Sequence, residues 1–403
     1  MIDMNITADF FIIDDQTVDA RPLNYLLQKT DDDSDFVPAE INITKDVAFF
    51  NYTSGSTGNP KTVPLTHANV LDKLRKYSAL IEVGDTMLGW AHFRGISGVR
   101  FLISGTLSGA RRVVNQGAFT PERFFKLVQE FNVNVTFLND SSQIHQLLKH
   151  PQIKTADLSS LKMLHCAGTI VPLHFIEKMN SHLGSSKFCN SFGMTETCGT
   201  VAINLYHSKN NCTGQLIGDC EAKIVNEQGD RLGVNESGEL YLKDPFMFEG
   251  YLGDDGNASQ HFDREGFFRT GDIAHFDENS DLFITDRKKE LFKYMGYHII
   301  PNEIQQFLDQ IDGVDESCVV PVPISKYVLA PAAVIIKTKN SACTEEFIYD
   351  AVSNSFADHK RLRGGVYFVN SIPRTATGKV NRRLVAEMAL KFYKDKNMVK
   401  RNN

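Results

Sequence analysis

The sequence has no long apolar run, no paired-cysteine motif and no excess of positive charge. No segment approaches the roughly 20 apolar residues that a membrane-spanning helix needs, and the short apolar run at residues 10–13 is not typical of a signal peptide. The seven cysteines are an odd number without a C-x-x-C pair, which argues against a disulfide framework or a zinc site and favours a reducing compartment. The net charge of −6 gives no general attraction to nucleic acid or anionic membranes. We therefore expect a soluble, cytoplasmic protein.

Strands and helices alternate through the first half of the chain. Residues 47–50, 112–115 and 133–138 have the composition of strands, and residues 68–81 and 121–130 have helical patterns. This βαβ order predicts a mostly parallel sheet with helices on its faces. After about residue 213, short strands at 221–225 and 239–242 lie between Gly, Asn and Asp turns, which predicts a small antiparallel or barrel-like unit.

A polar break at residues 286–289 precedes a new apolar pattern. Beyond it, the pattern predicts helices at 301–310 and 345–356 and strands at 317–322, 332–336 and 366–369. With 403 residues and 42% hydrophobic content, the chain can bury the cores of at least two domains. We therefore expect an α/β fold with a large domain at residues 1–286 and a small α+β domain at residues 287–403.

The segment T-S-G-S-T-G-N-P-K at residues 53–61 has the composition of a phosphate-binding loop. Its glycines let the backbone turn N–H groups toward an anion, its hydroxyl groups add donors, and its lysine supplies a cation. The spacing is not that of a P-loop. A flexible Ser/Gly linker is the alternative, but a linker would not follow the apolar run at 47–50 or end in Pro-Lys. The candidate phosphate contacts are Thr53, Ser54, Gly55, Ser56, Thr57, Gly58 and Lys61.

This loop resembles the signature of the adenylate-forming, or AMP-binding, superfamily, which includes acyl-CoA synthetases, coumarate-CoA ligases and beetle luciferases. Further strings resemble the superfamily's other motifs in the same order: N-S-F-G-M-T-E at 190–196, G-E-L-Y at 238–241 with G-Y at 250–251, R-T-G-D at 269–272, D-R-K-K-E at 286–290, K-Y-M-G-Y at 293–297 and P-R-T-A-T-G-K at 373–379. The resemblance implies a ligase that uses ATP to convert a carboxylic acid into an acyl-adenylate and then into a CoA thioester. It also implies that the C-terminal domain is a mobile lid on a hinge.

The resemblance assigns roles to single residues. Glu196 matches a Mg²⁺ ligand, Thr195 an α-phosphate contact, and Asp272 the carboxylate that holds the ribose hydroxyls. Lys379 matches the catalytic lysine beside the substrate carboxylate. Without the motifs, Glu196 would be interpreted as a solvated acid and Lys379 as part of an exposed basic tail. The remaining candidates are Gly168, Phe192 and Gly193 around the adenine, Arg287 at the ribose, Lys289 at the hinge, and Lys293 and Gly296 facing the CoA pantetheine. A plain turn at the end of a strand is the alternative for Gly168.

Fewer residues in the sequence indicate where the acyl group would bind. The superfamily's acyl-pocket motif falls near residues 90–98, where His92 and Arg94 are candidates to contact the substrate carboxylate. A lone histidine beside aromatic residues is just as often structural. Residues 95–109 contain no Asp or Glu, and their single charge is Arg100. Because an ammonium group would have no partner there, we expect a fatty or aryl carboxylic acid rather than an amino acid.

Three alternatives remain open at this stage. The chain has 51 residues before Tyr52, fewer than the superfamily usually carries, so an N-terminally truncated protein that binds nucleotide without turnover is one alternative. A ligase that loads a carrier protein instead of CoA is another. The C-terminal residues K-R-N-N differ from a Ser-Lys-Leu-type signal, so we expect the cytosol, with the peroxisome as an alternative suggested by the family. The sequence does not indicate an oligomeric state.

Overall fold

The computed structural model describes residues 11–12, 21–22, 37–53, 61–91, 95–115, 117–184, 187–205, 209, 211–253, 260–325, 327–375 and 379–402. The chain comprises two units, Met1–Asn42 and Ile43–Asn403. In the first unit, strands β1 (Phe11–Ile12) and β2 (Arg21–Pro22) pair in parallel. All other described helices and strands belong to the second unit.

The second unit begins with a hairpin that runs into a helix. Strands β3 (Val47–Thr53) and β4 (Lys61–Thr66) pair antiparallel, and helix α1 (His67–Ser78) follows at once. Thr66 caps this helix, because its hydroxyl accepts from the Asn69 amide while the Asn69 side chain accepts from the Thr66 amide. The strand predicted at 47–50 and the helix predicted at 68–81 are therefore confirmed.

Eleven strands form the main sheet. The parallel strands, in spatial order, are β6 (Arg111–Val113), β5 (Thr86–Gly89), β7 (Val135–Leu138), β8 (Met163–Ala167) and β9 (Lys187–Met194). The antiparallel strands that continue from β9 are β10 (Gly199–Asn204), β11 (Cys212–Leu216), β15 (Leu282–Arg287), β14 (Phe268–Phe276), β13 (Gly238–Lys243) and β12 (Glu221–Val225). The predicted α/β class is confirmed, and the predicted antiparallel strands extend the parallel part of the same sheet.

Four helices connect or flank the parallel strands: α2 (Ile96–Leu107), α3 (Pro121–Phe131), α4 (Ser141–Lys149) and α5 (Leu173–Leu183). Helix α3 begins where the sequence predicts, because the Thr120 hydroxyl caps its first turn and Pro121 occupies the first helical position. Its apolar face packs in a core that includes Phe124, Leu138 and Leu164. Each such side chain contributes roughly 1.5–3 kcal/mol when fully buried, so this core fixes the helices on the sheet.

A smaller α+β region follows β15. Its elements are β16 (Phe292–Tyr294), β17 (Tyr297–Ile299), α6 (Pro301–Leu308), β18 (Val314–Ser325), β19 (Val328–Lys337), α7 (Glu345–Ser355), β20 (Gly365–Val369) and α8 (Arg382–Asn402). Strand β19 is central, antiparallel to β18 and parallel to β20. The side chains on its two faces pack in different hydrophobic cores: Ile335 lies in one core and Val334 in the other. The predicted helices and strands of this region are confirmed. In the described ranges, no helix combines the length and apolar content needed to cross a membrane.

Candidate active site

A cavity of about 610 Å³ lies where the parallel strands of the main sheet end. Ala91, Asn139, Gly168 and Thr195 line it, and they follow the carboxyl ends of β5, β7, β8 and β9. Open α/β sheets bind their ligands in the crevice outside these strand ends. The sheet therefore gathers residues that are far apart in the sequence around one site.

The hairpin of β3 and β4 borders this cavity. Thr53 and Lys61 are register partners at its end, and both line the cavity. Residues 54–60, between these strands in the sequence, belong to the segment that is predicted to bind phosphate. Five of its predicted contacts lie outside the described residues: Ser54, Gly55, Ser56, Thr57 and Gly58.

Lys61, Tyr251 and Glu196 form a connected group on the cavity wall. The Lys61 ammonium lies 4.3 Å from the centroid of the Tyr251 ring. The Tyr251 hydroxyl donates a hydrogen bond of 2.6 Å to Oε1 of Glu196, whose residue is only 7% exposed. Thr195 precedes this glutamate and also lines the cavity. The predicted metal ligand is thus a buried, oriented carboxylate and not a solvated surface acid.

The motif around Phe192 and Gly193 lies at the end of β9. Gly193 lines the cavity, and a Cβ atom there would lie 2.2 Å from the carbonyl oxygen of Gly199, so only glycine fits. The half-buried ring of Phe192 packs against the core that contains Ala202 and Ile224. Among the described residues, Phe192 is not one of those that line the cavity.

Asp272 and Arg287 form an ion pair beside the cavity. They are register partners on β14 and β15, and Arg287 Nε donates to Asp272 Oδ1 at 2.8 Å. Burial raises the pKa of Asp272 and Arg287 opposes this rise, while Oδ2 of Asp272 is buried without a hydrogen-bond partner in the described part of the chain. Arg287, Thr270 and Lys289 line the cavity. Burial and Arg287 together lower the pKa of Lys289. An orphaned carboxylate oxygen is suited to accept from a hydroxyl group of a ligand.

Lys379 reaches the same cavity from the C-terminal region. A Cβ atom at Gly168 would lie 3.6 Å from Cε and 3.8 Å from Nζ of Lys379, so the ammonium group lies beside the turn that ends β8. Burial lowers the pKa of Lys379 and Arg287 adds to this effect, whereas nearby acids, first among them Asp272, oppose it. The lysine predicted to be catalytic therefore reaches the cavity with its ammonium group and belongs to the same charge cluster as Asp272.

Arg374 connects the loop that carries Lys379 to two separate elements. Its Nη2 lies 2.6 Å from Oε1 of Glu316 on β18, and its Nη1 lies 3.4 Å from Oδ2 of Asp140, the residue that caps α4. At the other end of α4, Lys149 Nζ donates to the Val314 carbonyl oxygen at 3.0 Å. These polar contacts hold the C-terminal region against the end of the main sheet.

Other predicted residues lie elsewhere. Lys293 and Gly296 are exposed on the β16–β17 hairpin and are not among the described residues that line the cavity. His92 and Arg94 lie outside the described residues. Sequence reasoning assigned no role to Tyr251, although it lies in a matched motif, or to Arg374. In the sequence, Arg100 stands out only as the single charge of residues 95–109, yet Arg100 lines the cavity.

Comparisons with known proteins identify the family of this chain. A family model described as AMP-binding enzyme matches residues 7–252, and a model described as AMP-binding enzyme C-terminal domain matches residues 303–379. A probable 4-coumarate–CoA ligase 3 of Dictyostelium discoideum is 30% identical over 357 residues, which are 87% of this chain and 64% of that protein. Luciferin 4-monooxygenase of Photinus pyralis is 30% identical over 367 residues, which are 89% of this chain and 66% of that protein. The chain thus spans about two thirds of the length of these relatives.

Solved structures share the fold at lower identity. ATP-bound MatB from Rhodopseudomonas palustris has a TM-score of 0.80 and 22% identity, with 89% of this chain and 71% of that chain covered. The anthranilate CoA ligase AuaEII in complex with anthranoyl-AMP has a TM-score of 0.77 and 22% identity, with 86% and 68% covered. Since the first family model spans more than half of the sequence, this chain belongs to the AMP-binding enzyme family.

Proposed function

We propose that this protein activates a carboxylic acid with ATP and transfers the acyl group to CoA. In the first half-reaction, a carboxylate oxygen attacks the α-phosphorus of ATP, the bond to the bridging oxygen of the β-phosphate breaks, and pyrophosphate leaves. In the second, the CoA sulfur attacks the acyl carbon, the bond to the AMP oxygen breaks, and the thiol proton passes to solvent. The family membership and the relatives named as CoA ligases support this proposal.

The nucleotide would occupy the cavity between the hairpin of β3 and β4 and the strands β14 and β15. Lys61, Thr53 and the residues between them in the sequence would contact the β- and γ-phosphates, and Thr195 the α-phosphate. The orphaned Oδ2 of Asp272 would accept from a ribose hydroxyl while Arg287 holds the other oxygen. Adenine would lie near Gly168, Phe192 and Gly193. The support is that hydroxyl groups and cations line a single cavity, as phosphoryl transfer requires, and that the Asp272 carboxylate is paired with one of these cations, Arg287.

Glu196 is suited to hold a magnesium ion together with the phosphates. Its Oε1 is fixed by Tyr251, and its Oε2 makes no hydrogen bond to any residue in the described ranges. The same ranges contain no group of three or more His, Cys, Asp or Glu side chains that could hold a metal alone. Mg²⁺ commonly binds through one or two carboxylates plus substrate phosphates, so one glutamate fits it. When bound, the ion would neutralise charge that develops on the phosphates.

The position of Lys379 is the observation that carries the proposal. Its ammonium group lies beside Gly168 in the cavity, where Arg287 adds a second positive charge, so the site favours a ligand that carries negative charge. A substrate carboxylate and the α-phosphate together supply that negative charge. Lys379 would orient the attacking carboxylate and stabilise the charge that builds in the transition state.

The second half-reaction would use a different surface. We assign residues 1–286 to the adenylation domain and residues 287–403 to a lid that rotates about Lys289, directly after the end of β15 at Arg287. Lys293 and Gly296 would then face the pantetheine of CoA. Their exposure on the β16–β17 hairpin is compatible with a surface that meets the cofactor only after rotation.

The test is pyrophosphate release with the full chain across a panel of carboxylic acids, with and without CoA. Release with at least one acid, together with formation of its CoA thioester, supports the proposal. ATP binding without release for every acid would favour the nucleotide-binding alternative. Release that yields an adenylate but no CoA thioester would favour a carrier protein as the acyl acceptor.

A further inference from the structure

Arg100 is a buried cation that lines the cavity without an acidic partner. It is the single charged residue of α2, and only 6% of it is exposed. Within the described ranges, no carboxylate forms an ion pair with it. Arginine is rarely buried unless it is paired, because removing the charge from water is costly. The cavity therefore carries a positive charge that is not paired with a carboxylate of the described residues.

The contacts of Arg100 fix its guanidinium group but leave donors available. Its Nη1 donates to the Thr200 hydroxyl, and its charge lies 4.4 Å from the centroid of the Tyr77 ring. A Cβ atom at Gly199 would lie 2.9 Å from Nη1, so the glycine leaves room for the group to pass. Its Nε and Nη2 make no hydrogen bond to any residue that the structure describes. The side chain is thus held in place while two of its nitrogen atoms can still bind a ligand.

The polar groups around Arg100 are neutral. The Tyr77 hydroxyl lies 3.0 Å from His165 Nδ1, and His165 Nε2 lies 2.7 Å from the Ser191 hydroxyl, which reaches the cavity. Burial, with a contribution from Arg100, lowers the pKa of His165 to about 3, and burial raises the pKa of Tyr77 to about 12. Neither side chain is charged at neutral pH. This buried chain offers dipoles to the cavity but no counter-charge.

Arg100 and the residues proposed to bind the ribose lie on different elements. Arg100 lies on α2 and contacts Tyr77 of α1 and Thr200 of β10, whereas Asp272 and Arg287 pair across β14 and β15. In the proposed function, the nucleotide lies between the β3–β4 hairpin and these two strands. The positive charge on α2 is then available to the acyl part of the substrate.

We propose that Arg100 binds a second carboxylate of the acyl substrate, so that the acid activated here is an aliphatic or aryl dicarboxylic acid. This inference rests on the proposed function. The planar guanidinium group matches a carboxylate with two parallel hydrogen bonds. A fully apolar tail would strip water from Nε and Nη2 without replacing their hydrogen bonds. Because the cavity of about 610 Å³ must also hold the nucleotide, a short or medium diacid fits best.

The test compares matched pairs of acids in pyrophosphate release by the full chain. Each straight-chain dicarboxylate from succinate to sebacate is paired with the monocarboxylate of equal carbon number, and isophthalate is paired with benzoate. A polar site rejects analogues that lack the recognised group, so we expect kcat/KM for the best dicarboxylate to exceed that of its partner by at least about 10-fold. This comparison uses the unmodified protein and does not depend on the folding of any variant.

Substitutions then assign the preference to Arg100. Arg100→Met should lower kcat/KM for the best dicarboxylate by at least about 100-fold and leave its monocarboxylate partner unchanged or improved. Arg100→Lys should restore part of the preference. Arg111→Met, at an exposed position on β6, is the matched control and should change neither value.

The outcomes separate this inference from the proposed function. Turnover in which monocarboxylates match or exceed dicarboxylates at every length overturns the inference and leaves the ligase function intact. So does a preference for a hydroxylated aromatic monocarboxylate such as 4-coumarate. A dicarboxylate preference that survives Arg100→Met overturns the assignment to Arg100. Failure of every acid to release pyrophosphate overturns the proposed function itself, and this inference with it.

Discussion

Replacing Lys379 by alanine should separate the two half-reactions. The ammonium group lies beside Gly168 at the end of β8, inside the cavity that also contains Glu196. A preorganised charge of this kind typically supplies about 3–4 kcal/mol of transition-state stabilisation, which corresponds to roughly 100- to 1,000-fold in rate. We therefore expect adenylate formation to fall by that factor. Thioester formation from a pre-made acyl-adenylate should be nearly unchanged, because the proposed lid rotation removes the lysine from the site.

The assay measures each half-reaction by itself. Single-turnover formation of the acyl-adenylate reports the first, and CoA thioester formation from synthetic acyl-adenylate reports the second. Lys391→Ala, at an exposed position on α8, is a matched control that removes a lysine from the same region. It should leave both rates unchanged.

Two results would refute the reasoning about Lys379. Equal loss of both half-reactions in Lys379→Ala would show that the lysine supports the structure of the cavity rather than the first chemical step. An unchanged rate of adenylate formation would show that its charge does not act on the reacting groups. A melting temperature equal to that of the unmodified protein is needed to interpret either result as catalytic.

Three further substitutions test how the structure is held together. Arg374→Gln should slow adenylate formation by up to about 10-fold and spare thioester formation from the adenylate, because the partly exposed pair with Glu316 contributes about 1 kcal/mol to docking of the lysine loop. Asp244→Ala should lower the free energy of unfolding, measured with urea, by about 3 kcal/mol, because it removes the main partner of the buried Lys73 ammonium and leaves only Asp72, whose Oδ2 lies 4.0 Å away. Asp309→Asn should stabilise the protein by about 2–3 kcal/mol more at pH 8 than at pH 5. Burial raises the pKa of Asp309 to about 7, so its contribution to stability is complete below the usual aspartate pKa and is lost as the pH rises through 7.

Each of these predictions has a control substitution, which removes an exposed side chain of the same charge. Arg383→Gln changes an exposed arginine on α8 and should leave both half-reactions intact. Glu82→Ala breaks the exposed pair with Lys162 and should cost less than about 1 kcal/mol. Asp312→Asn changes an exposed aspartate near Asp309 and should alter the free energy of unfolding by less than about 0.5 kcal/mol. Equal effects in a variant and its control would contradict the corresponding structural argument.

Local sequence signals were sufficient for most elements of the fold. The helix predicted at 121–130 is α3, since a capping threonine, a first-turn proline and an apolar face all act within one segment. The strand predicted at 221–225 matches β12, which is bounded by turn residues. The continuation of the antiparallel strands from β9 through β10 could not be predicted in this way. It depends on pairing between segments that are far apart, such as Cys212 opposite Phe283.

The residues that we propose to bind the nucleotide could be identified in the sequence because they occur in short motifs. Glu196 follows Thr195 at the end of β9, so one motif specifies both. The pairing of Asp272 with Arg287 joins two motifs that lie on neighbouring strands. The orientation of these groups was not predictable. Tyr251, which fixes the Glu196 carboxylate, comes from a loop whose position depends on tertiary packing.

Arg100 shows why the acyl end cannot be predicted from motifs. A single arginine in an apolar helix is equally consistent with a side chain that extends along the surface to reach water. Its burial at the cavity depends on Tyr77, Gly199 and Thr200, which belong to other elements. No short sequence motif encodes contacts between residues that lie so far apart in the chain. Adenylation chemistry should therefore tolerate little change in the motifs of this chain, whereas its choice of acid can change through single substitutions that no motif would reveal.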